Sequence, residues 1–263
     1  MSRIIAIANQ KGGVGKTTTN VNLSACVAAQ GQRVLTIDID PQGNTTSGLG
    51  LNKSEIQDSM YDVLINERPI EEIILPTVQE NLFIAPSSIA LAGAEVELVS
   101  MMAREHILKN ALAPIVEDYD FILIDCPPSL GLITLNALTA ANRLLVPIQC
   151  EYYALEGLSQ LMNTVSIVKK RLNPELDVEG VVLTMFDGRT NLSVQVVDEV
   201  KKYFKNKVYT TIIPRNVRLG EAPSHGLPII QYDPSCTGAE AYTDLAEELV
   251  ETWEEDDDDD KIF

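Results

Sequence analysis

Lys11-Gly12-Gly13-Val14-Gly15-Lys16-Thr17-Thr18 is the stretch of this chain whose residue types and spacing point most directly to chemistry. Glycines at 12, 13 and 15 let main-chain N–H groups converge on an anion, because no Cβ blocks a close approach or a left-handed turn. Lys16 and Thr17 follow at once, an ammonium for phosphate oxygens and a hydroxyl for a divalent metal. The usual pattern, Gly-x-x-x-x-Gly-Lys-Ser/Thr, would place glycine where this chain has Gln10, so the loop is a variant. Gly12, Gly13, Val14, Gly15, Lys16, Thr17 and Thr18 are the expected cradle for the phosphates of ATP, with Lys16 on the β- and γ-phosphates and Thr17 on Mg2+. Lys11 is a second cation at the head of the loop. Binding phosphate within one chain does not need it, and its position invites a role on a neighbour's nucleotide.

Asp38-Ile39-Asp40-Pro41-Gln42-Gly43-Asn44 follows an apolar run, and its carboxylates can orient water or hold the outer shell of Mg2+. Phe121-Ile122-Leu123-Ile124-Asp125 is an apolar strand ending in one acid, the form that aims Asp125 at the Mg2+ shell. Cys126 beside it reads as a plain small residue. Ile213-Pro214-Arg215-Asn216-Val217-Arg218 follows the last strong apolar run; it either lines the site or turns at the surface with incidental arginines. His106 and His225 are isolated, outside metal-ligand spacing.

These groups lie at the ends of apolar runs, which must position them. Residues 4–8, 34–37, 82–85, 121–124, 144–148, 181–185 and 208–213 read as strands. Helical patterns cover 17–30, 91–116, 154–172, 191–205 and 238–253, and Gly31 is placed to end the first. Strands apolar on both faces and separated by helices predict an α/β fold, a doubly wound, mostly parallel sheet flanked by helices. Ligands on such folds sit at the carboxyl ends of strands, so the chemistry is expected after Ala8, Ile37, Ile124 and Ile213. One domain over 1–253 accounts for the pattern, followed by an acidic tail, 254–263, expected to be disordered.

The formal net charge is −18 over 263 residues. The tail holds seven acids and one lysine, a formal −6, which leaves −12 on the rest. Such a body repels nucleic acid on average, so any DNA contact needs a local basic patch and will be salt-sensitive. Four scattered cysteines, no secretory pattern and no apolar stretch near the ~20 residues of a membrane span point to a cytoplasmic protein with reduced thiols.

The run from Lys11 to Thr17 resembles the deviant Walker A box of the ParA/MinD family of ATPases, which have the P-loop NTPase fold. In that family the first lysine crosses a dimer interface to the partner's phosphates, so ATP is sandwiched between two subunits; Lys11 matches it. The resemblance makes residues 38–44 the first switch segment, with Asp40 positioning or activating the attacking water and joining Thr17 and Asp125 at the metal, and Asp38 supporting metal and loop. It makes Asp125-Cys126-Pro127-Pro128-Ser129 the second switch, and Pro214 and Arg215 contacts for adenine. Nearly the whole chain is covered. The runs Gln149–Gly157 and Pro214–Ser224 resemble the chromosomal ParA branch, and no room precedes the phosphate loop for a helix-turn-helix arm.

The resemblance implies a slow, partner-stimulated ATPase for chromosome or plasmid partition. Its ATP homodimer binds double-stranded DNA non-specifically through Arg189 and Arg218, with Lys201, Lys202, Lys205 and Lys207 extending the patch. A ParB-type centromere-binding protein prompts hydrolysis and release, and the protein is nucleoid-associated, with no membrane partner. A MinD-like membrane-associated ATPase would need a basic amphipathic C-terminal helix, and residues 251–263 are acidic. The other alternative is a metabolic enzyme of the same fold, such as a nitrogenase-reductase or synthetase relative; a reductase would need two cysteines at cluster-ligating positions, which Cys126 and Cys150 do not obviously match, and no extra substrate-binding motif stands out.

Overall fold

The computed structural model of the protein describes residues 2–151 and 157–260. Eight strands form one sheet: β1 (Arg3–Ile7), β2 (Val34–Asp38), β3 (Leu75–Pro76), β4 (Leu82–Ala85), β5 (Phe121–Asp125), β6 (Arg143–Gln149), β7 (Asp177–Phe186) and β8 (Val208–Pro214). Their spatial order is β3-β4-β2-β5-β1-β6-β7-β8. Every pair is parallel except β3–β4, so β3 is a short antiparallel edge. The helices are α1 (Lys16–Ala29), α2 (Asn44–Gly48), α3 (Met60–Ile65), α4 (Leu91–Glu97), α5 (Ile107–Leu112), α6 (Leu132–Ala140), α7 (Leu158–Arg171), α8 (Asn191–Phe204), α9 (Val217–Glu221), α10 (Ile229–Tyr232) and α11 (Thr237–Asp260).

β2 and β5 are buried at all five positions. Side chains alternate across a strand, so Ile5 and Ile7 enter one core with α1 and α11, while Ala6 and Ala8 enter the other with α3 to α8. Covering both faces is what a parallel sheet requires, and the doubly wound, mostly parallel architecture is the expected one.

Three expectations need correction. The helix expected over 91–116 is broken: α4 and α5 are separated by an extended Met101 and by Ala103 at φ 49°. Asn136 of α6 reaches into the gap, donating to the Arg104 carbonyl at 2.7 Å and accepting the Leu108 amide at 3.1 Å. Those bonds replace the helical ones that the break gives up. Residues 126–141 carry a helix, α6, that the sequence pattern did not yield. Its buried positions run almost continuously from Ile133 to Ala140, so no polar face marks the period. The backbone of α11 is helical through Asp260, where a disordered tail was expected from Glu254. Tyr242, Leu245, Ala246 and Leu249 dock this helix against the sheet, and extending a formed helix avoids the nucleation penalty. The helix expected over 154–172 is seen as α7 from Leu158; residues 152–156 lie outside the described residues.

Candidate functional site

Strand register brings the acids together. Asp38 lies opposite Asp125 across the β2–β5 pair, and Ile7 lies opposite Asp125 across β1–β5. The departure point of the glycine loop and two carboxylates therefore share one level at the carboxyl edge of the sheet.

The loop from Ala8 to Gly15 turns through Gly13 at φ +73° and Gly15 at φ +89°, conformations that glycine adopts without penalty. A Cβ added at Gly12 or Gly13 would meet no atom within 4 Å, so the lip is open. α1 begins at Lys16 with no acid in its first turn, which leaves its N-terminal amides and positive dipole end facing the loop. Two residues that sequence reading passed over fix this geometry. Asn9 donates to the Pro147 carbonyl at 2.7 Å and accepts the Lys11 amide at 3.0 Å. Thr184 of β7 donates to the Val14 carbonyl at 2.8 Å. Both are polar side chains spending their bonds on main chain, which no motif records.

Lys16 is buried, and its ammonium donates to the Lys11 carbonyl at 3.3 Å. Burial lowers its pKa, while Asp125, Cys126 and Asp40 act in the other direction. Lys11 is half-buried, and among the described residues no carboxylate pairs with it. It borders a cavity of about 380 Å³ with Gln10, Gly157, Ser159 and Gln160. Thr17 and Thr18 are half-buried on the first turn of α1.

Asp125 is fully buried. Its Oδ2 accepts the Thr45 hydroxyl at 2.8 Å, while its Oδ1 has no partner. Burial raises its carboxyl above the usual range, and the Thr45 hydrogen bond, with the Thr17 hydroxyl nearby, draws it back. Asp38, equally buried, is raised by burial and then by the Asp125 charge beside it. Thr46 opposes this, donating amide and hydroxyl to Asp38 Oδ2 at 2.8 and 2.7 Å. Neither Thr45 nor Thr46 was singled out by sequence. Asp40 is half-buried at the turn, with Oδ1 accepting the Gln42 amide at 2.9 Å. An unsatisfied buried carboxylate oxygen next to an open lip of glycines, with Thr17 between, fits a divalent cation and the phosphates it bridges.

The remaining predicted residues lie further out. Pro214 ends β8 opposite Phe186 of β7, and the Arg215 guanidinium pairs with Glu151 at 3.2 Å. They neighbour β7, the strand whose Thr184 anchors the glycine loop. Arg189 is 88% exposed and held by Asp187 at 2.6 Å. Arg218 pairs with Glu221 at 2.8 Å and Asp233 at 3.4 Å. Lys201 and Lys202 are exposed in the last turn of α8, Lys205 follows exposed, and Lys207 pairs with Asp177. Cys126 is fully buried, and burial pushes its thiol far up, which makes it inert. Among the described residues no helix is long and apolar enough to cross a membrane.

Comparison with known proteins gives this geometry a family. Residues 2–178 match the family model AAA_31, described as an AAA domain. The chain is 62% identical over 250 residues to the sporulation initiation inhibitor protein Soj of Bacillus subtilis, covering 95% of this chain and 99% of that one. It is 55% identical over 250 residues to the chromosome partitioning protein ParA of Myxococcus xanthus, covering 95% of this chain and 88% of the relative. Among solved structures it is similar to cobyrinic acid a,c-diamide synthase of Mycobacterium smegmatis with bound ADP and magnesium. That match has a TM-score of 0.85 at 38% identity and covers 97% of this chain and 96% of the other.

Proposed function

The chain belongs to the ParA/MinD family of P-loop ATPases, in its Soj-like chromosomal ParA branch, and from that membership we propose that it is the ATP-driven switch of a DNA-partition system. ATP and Mg2+ are its ligands. Mg2+, held by Thr17 and Asp125, would supply positive charge to the phosphates during phosphoryl transfer. Gly12 to Gly15 and the first amides of α1 would cradle the phosphates, Lys16 would pair with them, and Thr17 and Asp125 would hold the metal. Asp40 would orient the water and take its proton. Pro214 and Arg215 would border the base.

Lys11 is the single observation that carries the switch reading. It heads the glycine loop and borders the cavity lined by Gln10, Gly157, Ser159 and Gln160, and among the described residues no carboxylate pairs with it. A cation left uncommitted there suits the phosphates of a second copy of the chain, which makes ATP part of an interface. The resulting dimer would present Arg189 and Arg218 twice and hold DNA by avidity. A ParB-type partner would prompt hydrolysis, and the protein would be nucleoid-associated while ATP lasts. The domain would comprise residues 1–253.

The test compares wild type, Lys11→Ala and Lys16→Ala by size exclusion and DNA gel shift with ATP, ADP or no nucleotide, at one low salt concentration. Lys16→Ala should lose ATP binding. Lys11→Ala should still bind ATP but remain monomeric and off DNA. A Lys11→Ala protein that dimerises with ATP as wild type does would remove the interface role. The metabolic-enzyme reading stays second, because one similar solved structure carries such a name. DNA binding that appears only with ATP separates the two.

A further inference from the structure

Resting on the reading of Asp40 as the residue that holds the attacking water, we infer that Ser87 is a positioning residue for hydrolysis, acting through the main chain of Asp40, with Lys53 as a second brace on the same loop. Ser87 lies just beyond β4, a strand end to which the sequence motifs assign no chemistry. Its side chain is fully buried, where a hydroxyl needs a partner, and it donates to the Asp40 carbonyl at 2.6 Å. The Ser87 amide donates to Thr46 Oγ1 at 3.0 Å, and that hydroxyl donates to Asp38 Oδ2 at 2.7 Å. Asp38 Oδ1 in turn accepts the Asp40 amide at 3.2 Å.

These bonds close a ring from Asp38 through Thr46, Ser87 and Asp40 back to Asp38. Both main-chain polar groups of Asp40 are fixed, the amide by Asp38 and the carbonyl by Ser87 together with the Gly43 amide of its own turn at 2.9 Å. From outside, Lys53 Nζ donates to the Gln42 carbonyl at 2.6 Å, and the Gln42 amide donates to Asp40 Oδ1 at 2.9 Å. With its backbone held at both sides, the Asp40 carboxylate has only its own two torsions left to place it. The ring also ties Asp40 to Asp38, which stands beside Asp125, so the water-holding and metal-holding acids keep one spacing.

Misplacing a catalytic group by ~1 Å lowers a rate by up to about 10²-fold, without any need to change substrate binding. Ser87 bonds to Asp40 and Thr46 rather than to the glycine loop, so its effect belongs to turnover and not to ATP affinity. The loop after β4 thereby becomes a working part of the site.

The experiment measures kcat and KM for ATP hydrolysis with Mg2+ on the full chain, together with binding of a fluorescent ATP analogue. Ser87→Ala should lower kcat about tenfold and Lys53→Met roughly threefold, with KM and analogue affinity within about twofold of wild type. Ser87→Thr, which keeps the hydroxyl, should recover most of the turnover, and exchange of the Asp40, Gln42 and Gly43 amides should quicken in Ser87→Ala and return to the wild-type rate in Ser87→Thr. Lys53 is exposed, so its variant keeps the test decisive even where Ser87→Ala does not fold. Full kcat in these variants, alongside lost hydrolysis in Lys16→Ala and Asp40→Ala, overturns the inference and leaves the site reading intact. Hydrolysis that survives Asp40→Ala removes the premise itself.

Discussion

Asp38 and Asp125 stand side by side, fully buried, at the ends of neighbouring strands, an arrangement that works against the stability of the empty protein. Each carboxyl is raised above its unfolded value, chiefly by burial. A raised acid contributes its stability below the unfolded pKa, near 4, and loses it as pH climbs through the raised folded value. The nucleotide-free protein should therefore lose stability between about pH 4 and neutrality, and cation binding should restore it by favouring the ionised forms. Asp125→Asn removes one of the two charges. In EDTA it should unfold a few degrees above wild type at pH 8, at roughly 2–4 °C per kcal/mol, with the gap closing toward pH 5. It should also lose Mg2+-dependent hydrolysis. Thermal unfolding at the two pH values checks this, and equal midpoints at pH 8 would sink it. At this scale the grouping of the glycine loop, Lys16 and Asp125 at one edge of the sheet was legible, because those residue types at strand ends are tied to phosphate and metal chemistry. Asn9, Thr45, Thr46, Ser87 and Thr184 were not, because their roles lie in tertiary hydrogen bonds that leave no local spacing.

The β8 edge shows how one element is closed. Thr210 and Thr211 offer consecutive amides, and both are taken by the Glu248 carboxylate of α11, at 3.0 and 2.8 Å, with the Thr211 hydroxyl at 2.6 Å. The pairing of β8 with β7 is irregular, which lets adjacent amides turn to one acceptor. An open parallel edge is a template for another strand, so a charged acceptor here both satisfies and blocks it. Glu248→Ala should cost about 1–3 kcal/mol and promote association on heating. Thermal unfolding with light scattering tests this, and an unchanged midpoint without added scattering would count against it. The strands β1, β2, β4, β5, β6 and the centre of β7 were readable because burial makes their sequences continuously apolar, and the half-buried edge strand β8 was readable from its run of β-branched and aromatic residues. β3, two exposed residues, had no such signal. α6 lacked a polar face, and the gap between α4 and α5 depends on Asn136, which lies about 30 residues further along the chain.

For the molecule as a whole, charge is the quantity that must be reconciled with the proposed partner. A chain at −18 meets DNA only where its field is locally reversed. Arg189 and Arg218 follow adjacent strands, β7 and β8, yet both are engaged by acids in the isolated chain: Asp187 grips Arg189 with two hydrogen bonds, and Glu221 and Asp233 share Arg218. Such exposed pairs contribute little to stability and exchange readily for phosphate. On the proposed reading, one chain would offer too few contacts to hold DNA against the net repulsion, and an ATP-bound pair would double them and so make a weak patch sufficient. Arg189→Ala with Arg218→Ala removes four cations per dimer. The slope of log affinity against log salt should then flatten by roughly 3–4, while ATP-dependent dimerisation stays as in wild type. Asp187→Asn, which releases Arg189, should tighten binding at low salt. Gel shifts at several salt concentrations measure both effects. A wild-type slope in the double variant, with the dimer intact, would place the DNA surface elsewhere, with the exposed lysines at the end of α8 next in line.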